Sequence, residues 1–264
     1  MRALLLGFAL CAAPWLCGAS PQDWSQAEVV FLGETHGNPA HHSRQAELTA
    51  EVAPAAIVFE MLTEAQAKKV QPDLINEAKA LARALDWAES GWPDFSLYYP
   101  IFAAAPQARI YGAGVPRAAA RAAMSDGGLA AFGTDASRYG LDQPLPSAQQ
   151  ARREKLQAQV HCDALPPEML PMMVAIQRLR DAYLARAADR ALSETGGPVV
   201  VITGNGHARR DWGAPVYLSH ARPNVVQFSL GQSEDGQILG AFDTQADSPR
   251  HDREDPCAAF ASDS

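Results

Sequence analysis

Residues 198–207 have the sequence PVVVITGNGH, in which a run of β-branched side chains ends at Gly204-Asn205-Gly206-His207. A short apolar run bounded by glycine is typical of a strand that is buried on both faces, as in a parallel sheet. The same pattern occurs at residues 28–32 (EVVFL), which precede Gly33, and at residues 55–59 (AAIVF). These three runs predict the central strands of a parallel sheet.

Helical segments alternate with these strands. Residues 40–52 predict a helix after the first strand, and residues 63–70 predict another, with Thr63 as its N-cap. Weaker strand candidates lie at residues 109–112, 216–218, 225–230 and 238–242. We therefore expect an α/β fold, with a mostly parallel β-sheet flanked by helices.

The chain also contains two helix-rich blocks, at about residues 73–105 and 146–192. They predict a smaller all-helical domain inserted into an α/β domain that spans residues 20–243. From Thr244 onward the sequence is polar, and we expect residues 244–264 to form a loosely ordered C-terminal tail.

The first 19 residues have the features of a secretory signal peptide. Arg2 precedes a short apolar run, and the small residues Gly18 and Ala19 close the segment. We expect cleavage near Ala19 and an exported protein, either periplasmic or associated with the membrane from the periplasmic side. Cys17 suggests lipid attachment, but the bulky Leu16 before it is a poor match to a lipoprotein signal.

Composition disfavours two functional classes. The 264 residues include 22 basic and 30 acidic side chains, a net charge of -8, whereas a nucleic-acid-binding protein needs a concentrated basic face. The mean hydropathy of -0.16 is too low for a polytopic membrane protein.

Polar side chains of the catalytic kind follow each of the three central strands. Glu34 and His36 follow the first, Glu60 the second and His207 the third. Parallel strands present their carboxyl ends to one edge of the sheet, where ligands bind in open α/β folds, so these four side chains are expected to converge.

Two carboxylates and two imidazoles allow more than one chemistry. They can hold a divalent metal, with His36 and His207 as ligands and a glutamate to activate water, or perform acid–base catalysis without a metal. Arg117, which follows the weaker strand at residues 109–112, is either an anion-binding cation or a surface arginine at the start of a helix.

The cysteines predict one disulfide. Removal of the signal peptide takes Cys11 and Cys17 away and leaves Cys162 and Cys257. A pair of cysteines in an exported chain is more often bonded than free, because the compartment is oxidising.

Several longer blocks resemble the ChaN-like haem-binding uptake family of the Tiki superfamily. The blocks are residues 30–42 (VFLGETHGNPAHH), 59–62 (FEML), 91–98 (GWPDFSLY), 115–117 (VPR) and 204–209 (GNGHAR). The resemblance extends from about residue 28 to about residue 230. It implies a large parallel sheet with a small all-helical domain and an exported protein, often a lipoprotein, that takes part in haem and iron uptake.

The resemblance also implies how haem is held. It implies haem at the interface of a homodimer, a tyrosinate ligand on iron, and histidine and lysine near the propionates, with an outer-membrane haem receptor as a partner. Tyr98 is the best match for the iron ligand, and His41 and His42 face either a propionate or solvent. Haem binding is thus the first functional prediction. The set of Glu34, His36, Glu60 and His207 also resembles the site of related metalloproteases and erythromycin esterases. This resemblance implies a metal-dependent or Glu/His-based peptidase or esterase as the second functional prediction, and the two could coexist.

Overall fold

A computed structural model of the chain describes residues 24–126, 128–253, 255, 257 and 258. The predicted signal peptide lies outside the described residues. Within them a six-stranded sheet has the strand order β3-β2-β4-β1-β5-β6, and every neighbouring pair is parallel. The strands are β1 (Val29–Glu34), β2 (Ala56–Phe59), β3 (Arg109–Gly112), β4 (Val199–Gly204), β5 (Gln227–Glu234) and β6 (Thr244–Ser248).

Helices connect the strands and cover both faces of the sheet. They are α1 (Pro39–Val52), α2 (Glu64–Ala67), α3 (Pro72–Ile75), α4 (Ala78–Ala84), α5 (Phe95–Ala104), α6 (Arg117–Asp126), α7 (Gly128–Phe132), α8 (Ser147–Val160), α9 (Leu170–Thr195), α10 (Asn205–Ala208) and α11 (Ala214–Ala221). Among the described helices, none combines the length and apolar character that a membrane span requires.

The central strands are buried on both faces, as their continuous apolar runs predict. In β1, Val29 and Phe31 belong to one hydrophobic cluster, which includes the buried side of α9. Val30 and Leu32 belong to a second cluster on the opposite face, which includes the buried side of α5. Helices from both helix-rich blocks therefore pack directly on the sheet. The α/β fold with a mostly parallel, helix-flanked sheet is confirmed.

The structure corrects two predictions near the C-terminus. Residues 216–218 lie in helix α11, because Pro215 lies at the start of a helix whose Tyr217 and Leu218 face the core. Residues 238–242 form no strand. The strand predicted at residues 225–230 is confirmed as β5, which begins two residues later and ends four residues later.

The prediction that the loosely ordered tail begins at Thr244 is wrong. Residues Thr244–Ser248 form strand β6, which pairs with β5 from Leu230↔Thr244 to Glu234↔Ser248. Because β6 is an edge strand with a largely exposed surface, backbone pairing rather than apolar side chains holds it, and a polar sequence gives no hydrophobic signal for it.

Candidate functional site

The carboxyl ends of the central strands meet in one place. Glu34 is the last residue of β1 and stands in register with Gly204, the last residue of β4. Glu60 follows β2 directly, and His207 lies in the short helix α10 that follows β4. Parallel topology therefore brings the four predicted side chains to the same edge of the sheet.

Glu34 organises the end of β1. The residue is 2% exposed, and its Oε1 lies 2.6 Å from His36 Nδ1. The His36 side chain keeps 37% of its surface exposed and contacts the indole of Trp92 edge-on, with 5.0 Å between ring centroids. Burial lowers the pKa of His36, but the hydrogen bond to Glu34 and the negative charge of Glu60 outweigh burial and raise it overall.

Gly204 sets the position of the His36 ring. A Cβ atom on Gly204 would lie 3.1 Å from His36 Nε2 and 3.2 Å from Cε1, which is tighter than ordinary van der Waals contact. Because Gly204 has no side chain, the imidazole of His36, which follows the neighbouring strand β1, can lie over the backbone of Gly204.

Glu60 is held as a carboxylate. Its Oε2 accepts hydrogen bonds from Thr203 Oγ1 at 2.6 Å and from the backbone N–H of Gly204 at 2.9 Å. Burial opposes the ionisation of Glu60, but the charges of His207 and His36 and these two hydrogen bonds outweigh it and lower the pKa to about 2.

His207 links Glu60 to a carboxylate on helix α9. Its Nδ1 lies 2.6 Å from Asp181 Oδ1, and its Nε2 lies 3.6 Å from Glu60 Oε1. Burial lowers the pKa of His207, yet the Glu60 and Asp181 carboxylates together raise it by more. The arrangement favours an imidazolium between two carboxylates.

Sequence reasoning missed Asp181 and Thr203. Asp181 is 1% exposed and lies on the face of α9 that packs on the sheet, between the buried Val174 and Ala185. A carboxylate on the apolar stripe of a long helix was the available signal, since a buried charge is normally paired.

The predicted exposure of His41 and His42 is wrong. Both residues are 1% exposed. They lie on the side of α1 that also buries Gln45 and Leu48, so the helical spacing carries them into the interior. Neither ring is open to solvent or to a propionate in this structure.

The two rings instead brace the turn after β1. His41 Nδ1 accepts a hydrogen bond from the backbone N–H of Thr35 at 2.9 Å, and its Nε2 donates to the carbonyl of Ser233 at 3.2 Å. His42 Nε2 accepts from the N–H of Gly37 at 3.3 Å. Burial lowers the pKa of both imidazoles, which agrees with neutral, structural rings.

Tyr98 is not placed to ligate iron. The side chain is fully buried, and its hydroxyl donates a hydrogen bond to Glu34 Oε1 at 2.9 Å. Burial and the Glu34 carboxylate raise the pKa of the phenol far above its ordinary value. The ring packs against His42 and Trp87, with centroid distances of 4.4 and 5.0 Å. The family resemblance pointed to Tyr98 in its aromatic block, but the sequence of that block does not reveal which side of α5 faces the core.

A cleft of about 360 Å³ opens beside these residues. We call it the site cleft, and Glu60, Trp92, Ile176, Arg117 and Arg180 are among its lining residues. Arg117, the first residue of α6, is exposed and, like the exposed Arg180, has no carboxylate within ion-pair distance among the described residues. Arg117 thus begins a helix and also lines the site cleft, and its role in binding an anion stays a prediction.

The structure does not support His36 and His207 as ligands of one divalent metal. Within the described part of the chain, no three His, Cys, Asp or Glu side chains are arranged to hold a metal ion. The two imidazoles instead use their Nδ1 atoms on different carboxylates, Glu34 and Asp181.

Cys162 and Cys257 are joined in a disulfide, with a Cα–Cα distance of 5.6 Å. This is the pair that the cysteine count predicts. The bond connects the end of α8 to the region that follows β6.

Comparison with known proteins places these features in context. The model of a family described as haem-binding uptake, Tiki superfamily, ChaN matches residues 21–218. The fold is similar to that of ChaN of Campylobacter jejuni, in a structure that describes cofacial haem binding, with 19% identity, a TM-score of 0.61, and coverage of 82% of this chain and 86% of that chain.

A second solved structure, the type III effector HopBA1, covers 84% of this chain and 88% of that one at 15% identity with a TM-score of 0.44, which is too distant to support an argument. No curated protein matches the sequence.

Proposed function

The chain belongs to the ChaN family of haem-binding uptake proteins in the Tiki superfamily, and from this membership we propose that it binds haem in the site cleft, with His36 as the ligand of the iron. The observation that carries the proposal is the state of His36. Its Nδ1 is engaged by Glu34 at 2.6 Å, more than a third of its side chain remains exposed, and its ring contacts Trp92, which lines the site cleft.

The hydrogen bond to Glu34 suits a residue that would hold iron. A carboxylate on Nδ1 fixes the tautomer, orients the ring and makes the opposite nitrogen a better donor to a metal. Among the described residues, no group is hydrogen-bonded to His36 Nε2. Imidazole is a common axial ligand of haem iron, and the bound haem would supply the redox-active iron that the uptake system carries.

The site cleft fits the rest of the group. Its volume of about 360 Å³ lies within the range of small-molecule sites, and Trp92 and Ile176 give it flat and apolar wall surface. Arg117 and Arg180 place two cations on the same cleft. Guanidinium groups bind carboxylates with paired hydrogen bonds, so these two arginines suit the propionates.

Export and dimerisation complete the proposal. The apolar N-terminal run supports export to the periplasm, where an outer-membrane haem receptor would deliver haem. Because the site cleft is open to solvent, a second copy of the chain would be needed to enclose a haem held there, which supports a homodimer in the haem-bound state. Amino-terminal sequencing of the periplasmic protein should begin near Ser20, and sedimentation should show dimer only with hemin.

Hemin titration tests haem binding and the iron ligand together. Purified protein should show a saturable Soret shift. His36→Ala should weaken hemin binding by about tenfold or more, whereas replacement of the exposed His220 on α11 should leave it unchanged. Absence of a Soret shift in folded wild-type protein would contradict haem binding. An unchanged spectrum in His36→Ala would contradict only the assignment of the ligand.

The Asp181–His207–Glu60 arrangement supports a second candidate, hydrolysis without a metal. An imidazolium held at 2.6 Å by a buried carboxylate is a general acid that Asp181 orients, and Glu60, whose pKa is lowered to about 2, keeps a negative charge beside it. Wild-type protein would then cleave a subset of ester or peptide substrates, and His207→Ala would lose that turnover while retaining hemin binding. Equal turnover in both proteins would contradict this candidate.

A further inference from the structure

Strand β3 leaves one edge of the sheet unpaired. Arg109 N–H donates to the carbonyl of Ala55 at 3.0 Å, and Ala113 N–H donates to the carbonyl of Phe59 at 2.9 Å, both on the β2 side. Alternate residues of a strand point their backbone groups in opposite directions, so Ile110 and Gly112 present their N–H and C=O groups to the other side. No described residue pairs with them there.

A groove of about 730 Å³ runs along this unpaired edge. We call it the edge groove. Residues of α2, α3 and the turn between them, including Lys68, Val70 and Ile75, line it, and so do Tyr183 and Ala187 of α9. An open strand edge between two helical walls has the shape that accepts one more extended strand.

The edge groove is positively charged although the chain carries a net charge of -8. One carboxylate, that of Glu64, lines the groove, and Glu194 forms ion pairs with two of the lining arginines. The cationic side chains that line it are four, namely Lys68, Arg109, Arg186 and Arg190. Arg186 has no carboxylate within ion-pair distance among the described residues, and its guanidinium lies 4.3 Å from the ring centroid of Tyr183. The surplus charge favours an acidic occupant.

We propose that the edge groove binds an extended acidic peptide segment of a partner protein, which adds a strand to β3. Backbone hydrogen bonds from Ile110 and Gly112 would fix the segment, and the cations would select its acidic side chains. A second copy of this chain fits less well, because two positive edges would face each other across a shared β3–β3 contact. The proposal uses none of the residues assigned to haem.

Fluorescence polarisation with labelled peptides tests the charge preference. The full-length mature chain is titrated into a hexapeptide of alternating Glu and Val, and into its counterpart of alternating Lys and Val. We expect saturable binding of the acidic peptide only, and weaker binding as the salt concentration rises. Saturable binding of the basic peptide with equal strength, or no binding of the acidic one, would overturn the proposal.

A matched pair of charge reversals locates the site. Lys68→Glu reverses an exposed cation of the groove, and Lys155→Glu makes the same change on the exposed surface of α8. We expect Lys68→Glu to lower the affinity for the acidic peptide by about threefold to tenfold and Lys155→Glu to leave this affinity unchanged. Equal effects of the two substitutions would overturn the assignment to the groove.

Hydrogen exchange distinguishes strand addition from attraction by charge alone. Peptide binding should slow exchange of the Ile110 and Gly112 amides, while the Arg109 amide, already bonded to Ala55, should not change. Binding without protection at Ile110 and Gly112 would contradict strand addition. Sedimentation showing that Lys68→Glu alters self-association instead of peptide binding would assign the groove to a second copy and overturn the proposal.

Discussion

The hydroxyl of Tyr98 donates a hydrogen bond to Glu34 Oε1 at 2.9 Å, inside the hydrophobic core between α5 and the end of β1. The same oxygen lies 2.6 Å from His36 Nδ1. One carboxylate oxygen thus connects a fully buried phenol to a half-exposed imidazole. Tyr98 therefore supports the position of His36 through Glu34 and does not reach a ligand itself.

Tyr98→Phe should separate support from ligation. The substitution removes one donor to a buried carboxylate, so we expect the free energy of unfolding to fall by about 1.5 to 3 kcal/mol in urea denaturation. The Soret maximum of the hemin complex should not move. Tyr99→Phe, next to it and partly exposed, should change neither quantity. A shifted Soret maximum in Tyr98→Phe would make Tyr98 the ligand and would require the core to open around it.

The central strands and the residues at their ends could be predicted from the sequence. The apolar runs of β1, β2 and β4 are recognisable because strands buried on both faces need apolar side chains at every position. Glu34, His36, Glu60 and His207 could be grouped from sequence because parallel topology carries the ends of those strands to one edge.

The missed features depend on packing between distant elements. Asp181 belongs to the site because α9 crosses the sheet beside His207, and no local pattern records that crossing. The buried sides of α1 and α5 decide the roles of His41 and Tyr98. Neither helix has a clear division into an apolar and a polar side in its sequence, so the buried side could not be predicted. Strand β6 was not predicted because an edge strand is held by backbone pairing, which leaves no apolar pattern in the sequence.

Gly204→Ala should disturb His36 without unfolding the protein. The added methyl group would lie 3.1 Å from His36 Nε2, so the ring must shift by a few tenths of an ångström. We expect hemin affinity to fall by about threefold to tenfold and the circular dichroism spectrum to remain unchanged. Gly206→Ala is the matched control, since its nearest contact would be an ordinary 3.7 Å to Gln177 Nε2. Equal hemin affinities of the two variants would contradict the role of Gly204.

Thr203→Val should destabilise the site through Glu60. The hydroxyl of Thr203 donates to the buried Glu60 carboxylate at 2.6 Å, and its loss should lower the free energy of unfolding by about 1.5 to 3 kcal/mol. Thr49→Val removes an equally buried hydroxyl that has no hydrogen-bond partner among the described residues, so it should be neutral or stabilising. Urea denaturation of both variants measures the difference, and equal losses would contradict the importance of the bond to Glu60.

Thiol counting tests the disulfide. The mature protein, denatured without reductant, should have no reactive thiol, and two should appear after reduction. Because the bond joins residues separated by 95 positions, Cys162→Ser with Cys257→Ser should lower the free energy of unfolding by at most about 4 to 5 kcal/mol. Two reactive thiols in the unreduced protein would show that the bond does not form.

Glu234 should make stability depend on acid pH. Its Oε1 and Oε2 accept hydrogen bonds from both terminal nitrogens of Arg253 at 2.8 and 2.7 Å, and Asn38 Nδ2 donates to Oε1 at 2.8 Å. The Arg253 hydrogen bonds lower the pKa of Glu234 from its ordinary 4.5 to about 2, although burial opposes the shift. A pKa that is depressed in the folded state stabilises the fold above pH 4.5, and this contribution disappears as the pH falls towards 2.

Glu234→Gln should therefore be less stable than wild type by about 1.5 to 3 kcal/mol at neutral pH, and the difference should close as the pH approaches 2. Urea denaturation across this range measures the difference, in which the titrations common to both proteins cancel. Glu168→Gln makes the same charge change at an exposed glutamate with no ion pair among the described residues, and it should leave stability within about 0.5 kcal/mol of wild type throughout. If the difference in free energy of unfolding between wild type and Glu234→Gln stays constant or widens on acidification, Arg253 does not stabilise the ionised form of Glu234.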